Sequence, residues 1–212
     1  LQNRLKAQGN KPTEKVTHVH VVGAGVMGGD IAAWCALRGL NVTLQDREEK
    51  YITPALERAT KLFGKRVRDP LKRAEVEKRL TADVPGDGVA GADLIIEAIY
   101  ENLEAKQSLY EDLQTKMKPG AILATNTSSI RLEDLRTVLN NPDRFIGIHF
   151  FNPVAQLPLV EIIRCADTQQ AVLDSAFEFV KGIGKFPLEC ASSPGFVVNR
   201  ILGPYMAEAM HL

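Results

Sequence analysis

Short apolar runs alternate with longer amphipathic segments along most of the chain. The apolar runs predict buried strands, because a strand covered on both faces needs no polar alternation. They lie at 16–22, 41–45, 79–84, 93–98 and 121–124. Apolar residues at helical spacing predict helices at 26–38, 48–67 and 103–117. We expect the second helix to be interrupted near Pro54 and Gly64. The alternation predicts βαβ units and a mostly parallel sheet.

The second half of the chain continues the same alternation. Further strands are expected at 144–148, 159–163 and 186–188, with a helix at 169–181. Residues 192–195 (Ser-Ser-Pro-Gly) predict a hinge before an apolar helix at 196–210. The fold class is therefore α/β, a doubly wound Rossmann-type domain. We divide the chain into a polar linker at 1–15, the α/β domain at 16–191, and the start of a helical domain at 192–212.

Charge and hydropathy exclude several classes of function. Lys+Arg and Asp+Glu both number 26, so the net charge is zero and no overall field favours nucleic acid or an anionic membrane. Apolar stretches stay well below the roughly 20 residues that cross a bilayer, and the first residues lack the apolar core of a signal peptide. We expect a cytoplasmic protein.

The three cysteines indicate neither a disulfide framework nor a metal site. Cys35, Cys165 and Cys190 are odd in number and widely spaced. We interpret them as core or incidental thiols, and predict no metal centre.

A glycine-rich turn predicts a dinucleotide site. Gly23, Gly25 and Gly28 form a G-x-G-x-x-G pattern that follows the first strand and opens the first helix. Such glycines allow a tight turn, the approach of backbone to a pyrophosphate, and close packing of helix on strand. Val26 and Met27, inside the pattern, belong to the same predicted cradle.

Asp46 predicts which dinucleotide binds. It ends the second strand, 18 residues after Gly28, close to the spacing of about 20 at which an acid binds the ribose 2′-hydroxyl. A carboxylate there repels a 2′-phosphate, so NAD is favoured over NADP, although the adjacent Arg47 keeps NADP open.

A hydroxyl, an imidazole and a carboxylate predict a proton relay. His149 follows the strand at 144–148, where open α/β sheets present side chains to a ligand. A neutral imidazole can accept the proton of a substrate hydroxyl, and Glu161 is the candidate to orient it. Ser128 and Asn199 could contact the reacting oxygen. The residues alone leave open a helix cap for Ser128, a surface charge for Glu161 and a polar helix face for Asn199.

Five ordered motifs resemble the 3-hydroxyacyl-CoA dehydrogenase family, in particular the dehydrogenase segment of bacterial multifunctional fatty-acid oxidation proteins. The resemblance extends from about residue 16 to the end of the chain. The motifs are Gly23-Ala24-Gly25-Val26-Met27-Gly28, Glu97-Ala98-Ile99-Tyr100-Glu101-Asn102, Asn126-Thr127-Ser128-Ser129, His149-Phe150-Phe151-Asn152-Pro153 and Pro194-Gly195-Phe196-Val197-Val198-Asn199-Arg200.

The resemblance implies an activity and the residues that carry it. Members of this kind oxidise the 3-hydroxyl of L-3-hydroxyacyl-CoA to a ketone and make NADH. It implies that His149 is the general base, that Glu161 orients it, and that Ser128 and Asn199 contact the substrate.

The resemblance also implies cofactor contacts and an assembly. Glu101 and Lys106 would lie beside NAD, and Asn126 near the nicotinamide; without the resemblance, Glu101 and Lys106 are equally readable as a solvated charge pair. The family's helical domain, which forms a homodimer, is represented only by 192–212, which puts turnover by the isolated chain in question. A thiolase partner is a further expectation.

The sequence leaves two alternatives open. The chain could be a non-catalytic NAD-binding or structural protein, because relatives with lens-crystallin roles share the fold and several motifs. It could also be a dehydrogenase of a small free hydroxy acid. The full Ser-His-Glu-Asn set argues against the first alternative, and a comparison of acetoacetyl-CoA with acetoacetate tests the second.

Overall fold

One mixed sheet with helices on both faces makes up the fold. The computed structural model describes residues 15–209. The strands are β1 (His18–Val22), β2 (Asn41–Gln45), β3 (Leu80–Ala82), β4 (Leu94–Glu97), β5 (Ile122–Thr125), β6 (Phe145–Phe150), β7 (Leu159–Arg164) and β8 (Phe186–Ala191). The helices are α1 (Val26–Leu37), α2 (Glu49–Arg66), α3 (Pro70–Glu77), α4 (Leu103–Lys116), α5 (Leu132–Leu135), α6 (Gln170–Gly182) and α7 (Val198–Ala209).

The strand order defines where a ligand can bind. The sheet runs β3-β2-β1-β4-β5-β6-β7-β8, and the first six strands of this order are parallel. The order reverses between β1 and β4, which creates a crevice at the carboxyl ends of these strands. The predicted doubly wound α/β fold is confirmed.

The helices bury both faces of the sheet. Side chains of α1, α2 and α6 pack in one apolar cluster, which includes Ile31, Ile52 and Val172. Side chains of α4 and α5 pack in the other, which includes Tyr110 and Leu132. The strands between these layers are therefore apolar on both faces, which is why they read as continuous apolar runs. The three cysteines are free and buried, as expected of core thiols.

The predicted interruption of the second helix is wrong. α2 is continuous from Glu49 to Arg66 and contains both Pro54 and Gly64. Proline costs about 3 kcal/mol in a helix interior, but Pro54 lies on the exposed side. The opposite side of α2 buries apolar groups against α1, and this burial offsets the cost. The buried residues of α2 are Ile52, Ala55, Ala59 and Phe63.

The sheet differs from the prediction at β6 and β7. β6 extends two residues beyond the predicted end, so His149 lies within the strand and not just past it. The extension exists because β7 runs antiparallel to β6 and pairs with residues 147–150. β7 and β8 are parallel to each other, so both run against the first six strands.

Helix α3 was not predicted, because its burial is slight. Only Val76 of α3 is buried, so the apolar periodicity is weak. Asp69 and Pro70 carry the signal that could have revealed it. The Asp69 carboxylate accepts hydrogen bonds from the N–H groups of Leu71 and Lys72, and Pro70 occupies the first turn.

Parts of two predictions lie outside the described residues. These are the linker up to residue 14 and the last residue, Met210, of the helix predicted at 196–210. The domain boundary at 191 stays a prediction. Within 15–209, every helix is too short or too polar to cross a bilayer.

Candidate active site

The glycine turn between β1 and α1 packs too closely for larger residues at two positions. Gly23 has φ +103°, and a Cβ there would lie 2.6 Å from the carbonyl oxygen of Ala98. A Cβ at Gly28 would lie 1.8 Å from the carbonyl oxygen of Gly23. These two glycines therefore hold the turn against β4 and against α1, as their spacing predicted.

Gly25 differs, because a Cβ there would meet no atom within 4 Å other than those of its immediate chain neighbours. Gly25 is the N-cap of α1 and no side chain caps the helix, so the turn presents free backbone N–H groups at an open surface. Val26, exposed, and Met27, half-buried, follow at the start of α1. An open helix N-terminus without a Cβ fits the pyrophosphate of a dinucleotide.

Asp46 lies beside this turn. Its Oδ2 accepts a hydrogen bond from the N–H of Ala24 at 2.7 Å, and its Oδ1 accepts one from the N–H of Arg47 at 2.7 Å. A cleft of 540 Å³ is lined by the turn and by Asp46, Tyr51 and Ile99. Its volume lies within the usual range for small-molecule sites, and its position fits the adenosine half of NAD.

His149 and Glu161 are in direct contact, as predicted. They face each other across the antiparallel β6–β7 pair, and His149 Nδ1 lies 2.8 Å from Glu161 Oε2. Both side chains are buried. The edges of Phe151 and Phe196 flank the imidazole, with ring centroids 4.6 and 5.7 Å away. The contacts with Glu161, Phe151 and Phe196 therefore fix the orientation of the imidazole ring.

The second oxygen of Glu161 holds the segment that leads into α7. Glu161 Oε1 accepts hydrogen bonds from the N–H groups of Val197 and Val198 at 2.9 and 2.8 Å. Burial raises the pKa of Glu161, but the hydrogen bonds from His149 and from these two amides outweigh it, so the pKa lies below its usual value. Glu161 is therefore an anion, and its expected orienting role has a physical basis.

Residues 126–129 form a loop anchored at several points. Asn126 Oδ1 accepts a hydrogen bond from the N–H of Phe150 at 2.8 Å. Glu101 Oε1 accepts hydrogen bonds from the N–H groups of Ser128 and Ser129 at 3.1 and 3.2 Å, and from the hydroxyl of Thr127. Burial raises the pKa of Glu101, but these bonds and nearby Lys106 lower it below its usual value. Glu101 thus anchors the loop as an anion.

Ser128 and Asn199 lie on segments that are held next to the relay. Ser128 belongs to the anchored loop, and Asn199 is exposed one residue after Val198 at the start of α7. The Asn199 side chain is exposed and that of Ser128 is half-buried, so solvent reaches both.

The alternative of a solvated Glu101–Lys106 pair is wrong for the lysine. The Lys106 side chain is 1% exposed, and its Nζ lies 3.4 Å from Glu101 Oε2 and 2.5 Å from Glu97 Oε1. Glu97, Thr127 and Ser129 lie in the family motifs, but no role of their own was predicted for them from the sequence. The signal for Glu97 was available, since an acid at the end of a buried apolar strand requires partners.

The fold and site define a dinucleotide-binding α/β domain with a buried His–Glu pair at the ligand edge of its sheet. Residues 18–193 match the family of the 3-hydroxyacyl-CoA dehydrogenase NAD-binding domain. The chain belongs to this family, and the prediction of NAD as cofactor is confirmed.

Relatives of several kinds share the sequence. The chain is 39% identical over 189 residues to the fatty acid oxidation complex subunit alpha of Ectopseudomonas oleovorans, covering 87% of this chain and 26% of the relative. It is 37% identical over 212 residues to a probable 3-hydroxyacyl-CoA dehydrogenase of Caenorhabditis elegans, covering 93% of this chain and 67% of the relative. The chain thus spans about a quarter of the length of the bacterial subunit that it matches.

Solved structures share the fold. The crystal structure of FadB2 from M. tuberculosis matches with a TM-score of 0.89 and 34% identity, covering 93% of this chain and 72% of that one. The 3-hydroxybutyryl-CoA dehydrogenase from Escherichia coli matches with a TM-score of 0.88 and 36% identity, covering 92% of this chain and 42% of that one.

Two glycine variants separate cofactor binding from folding. We expect Gly25→Ala to keep the melting temperature and to weaken NADH binding about 10-fold or more, because the new methyl group occupies only the open surface. Gly28→Ala should instead lower the free energy of unfolding by about 2 kcal/mol or more, because its Cβ meets a backbone carbonyl. Fluorescence titration and urea unfolding measure both. Unchanged NADH affinity in Gly25→Ala would contradict the cofactor assignment.

Glu161→Gln should remove a pH-dependent part of the stability. The folded-state pKa of Glu161 is lowered from its usual value of 4.5, so its contribution is present above about pH 4.5 and is lost as pH falls through the folded pKa. The amide cannot accept hydrogen bonds on both sides, which costs about 1–3 kcal/mol at neutral pH. Urea unfolding from neutral to acidic pH measures this loss.

Glu189→Gln is the matched control for this variant. Glu189 is on β8 and bonds Arg164 at 2.8 Å with both side chains substantially exposed, so its loss should cost less than about 1 kcal/mol. If the stability of Glu161→Gln depends on acid pH as steeply as that of the wild type, the assignment of the pH dependence to Glu161 is wrong.

Proposed function

We propose that this chain is the NAD-binding part of an enzyme that oxidises L-3-hydroxyacyl-CoA to 3-ketoacyl-CoA in fatty-acid β-oxidation, with His149 as the general base. The observation that carries the proposal is the buried His149–Glu161 contact of 2.8 Å. It lies beside the anchored 126–129 loop at the carboxyl edge of the sheet, and the names of the relatives support the substrate class.

In this proposal the two imidazole nitrogens have different tasks. Because Glu161 is ionised, Nδ1 of a neutral His149 donates its hydrogen to Glu161 Oε2. Nε2 then carries the free lone pair and accepts the proton of the substrate 3-hydroxyl. The Glu161 anion stabilises the imidazolium that results. Bound NAD would supply the acceptor for the hydride of the same carbon, so the alcohol would lose one proton to His149 and one hydride and become a ketone.

The remaining side chains act on the substrate oxygen. The hydroxyl of Ser128 and the amide of Asn199 donate hydrogen bonds to the oxygen as its negative charge develops. The hydrogen bond from the backbone N–H of Ser128 to Glu101 supports this role. This bond fixes the loop that carries the Ser128 hydroxyl. The bonds from Val197 and Val198 to Glu161 support the role of Asn199 in the same way.

We assign the cofactor contacts to residues along the same edge of the sheet. Gly23, Gly25, Val26, Met27 and Gly28 cradle the pyrophosphate. Asp46 binds the adenosine ribose. Glu101 and Asn126 line the nicotinamide end, and the buried Lys106, predicted as a further cofactor contact, acts there only through Glu101. A homodimer, a thiolase partner and a cytoplasmic location stay predictions.

The experiment measures NADH consumption with acetoacetyl-CoA in the complete natural polypeptide that contains this sequence. We expect turnover in the wild type and a loss of about 10²- to 10⁴-fold in kcat for His149→Gln, with NADH affinity unchanged. His18→Gln is the matched control. His18 contacts Thr43 at the amino end of β1, away from the relay. The kcat of His18→Gln should therefore stay at the wild-type value.

Two results would contradict the proposal. A higher kcat/KM for free acetoacetate than for acetoacetyl-CoA would favour a dehydrogenase of a free hydroxy acid. Tight NADH binding without turnover on either compound would favour a non-catalytic NAD-binding protein.

A further inference from the structure

Glu97 is a buried acid that the proposed mechanism does not use. It ends β4 and is fully buried. Its Oε1 accepts hydrogen bonds from Lys106 Nζ at 2.5 Å and from the N–H of Ile99 at 2.8 Å. Its Oε2 accepts hydrogen bonds from the hydroxyls of Tyr110 at 2.7 Å and Thr125 at 2.8 Å. Four donors therefore hold the carboxylate in one orientation.

Stability alone does not account for this cluster. Removing a carboxylate and an ammonium from water costs several kcal/mol per ion, and apolar residues of similar size often replace a buried ion pair without loss. Burial, and then the charge of Glu97, raise the pKa of Tyr110 well above its usual value, so the tyrosine stays a hydrogen-bond donor. Such a fully bonded cluster fixes the position of Lys106.

The cluster connects to the substrate loop through Lys106. Lys106 Nζ, held by Glu97 Oε1, lies 3.4 Å from Glu101 Oε2. The other oxygen of Glu101 accepts the bonds from Thr127, Ser128 and Ser129. The Glu101 side chain is 35% exposed, so without the buried ammonium it would be free to turn towards water.

We propose that Glu97 is a positioning residue for the loop 127–129. It acts through Lys106 and Glu101 to fix the place from which the Ser128 hydroxyl reaches the substrate oxygen. The catalytic consequence rests on the proposed function, whereas the ordering of the loop does not.

The first test measures loop order by hydrogen exchange in the complete natural polypeptide. Glu97→Gln should raise the amide exchange rate of a peptide spanning 126–130 about 10-fold, because the bonds to Glu101 weaken. Asp93→Asn is the matched control. Asp93 precedes β4 at its opposite end and is also held by a lysine, Lys118, at 2.5 Å and by backbone N–H groups. Exchange at 126–130 should not change in this variant.

A second variant distinguishes a loss of positioning from unfolding. Glu97→Gln leaves Lys106 buried without its main counter-charge, which can unfold the protein. The double variant Glu97→Gln/Lys106→Met removes both charges and should show the same faster exchange at 126–130. Wild-type exchange in this folded double variant would overturn the proposal.

The catalytic test is a double-mutant cycle. Glu97→Gln should lower kcat by up to about 100-fold, with KM and NADH affinity changed less than about threefold. In a Ser128→Ala background the same change should cost less than about threefold, because the group that it positions is already absent. Equal losses in the two backgrounds would show a general structural role and overturn the proposal. An inactive wild type would instead contradict the proposed function, and the exchange measurements would still decide the positioning role.

Discussion

The buried carboxylate of Glu161 joins three segments that are distant in the chain. It lies on β7, accepts a hydrogen bond from His149 on β6, and accepts two from the backbone before and at the start of α7. A buried anion requires partners on both oxygens, so these segments must meet for the folded state to be stable. The orientation of the imidazole and the entry into α7 therefore depend on a single charged group.

Carboxylates organise the other loops at this edge in a similar way. Asp46 binds the N–H of Ala24 in the glycine turn, and Glu101 binds the amides of Ser128 and Ser129. Each acid uses its charge to hold backbone N–H groups, which form stronger hydrogen bonds with ions than with neutral acceptors. The N–H groups at the start of α1 are left without such a partner, and that is where an anionic ligand fits.

The sequence predicted what depends on local patterns. Buried parallel strands read as apolar runs, and the glycine turn and Asp46 were found because their spacing follows from the βαβ unit. The direction of β7 could not be predicted, because a strand's partner is set by distant residues. Lys106 was ambiguous because its burial depends on side-chain contacts that no spacing reveals: Glu97 binds it, and Thr125 and Tyr110 hold that acid in place.

The antiparallel register of β6 and β7 pairs His149 with Glu161. A slip of one residue would turn one of the two side chains to the other face of the sheet, so the ladder itself preserves the pair. The connection between the strands, residues 151–158, is itself packed: Phe151 flanks the imidazole, Val154 is buried, and Lys185 Nζ donates hydrogen bonds to the carbonyl oxygens of Val154 and Leu157. Insertions and deletions in this connection, during evolution or protein engineering, would therefore disturb the packing around the reactive pair even where the strand ladder is kept.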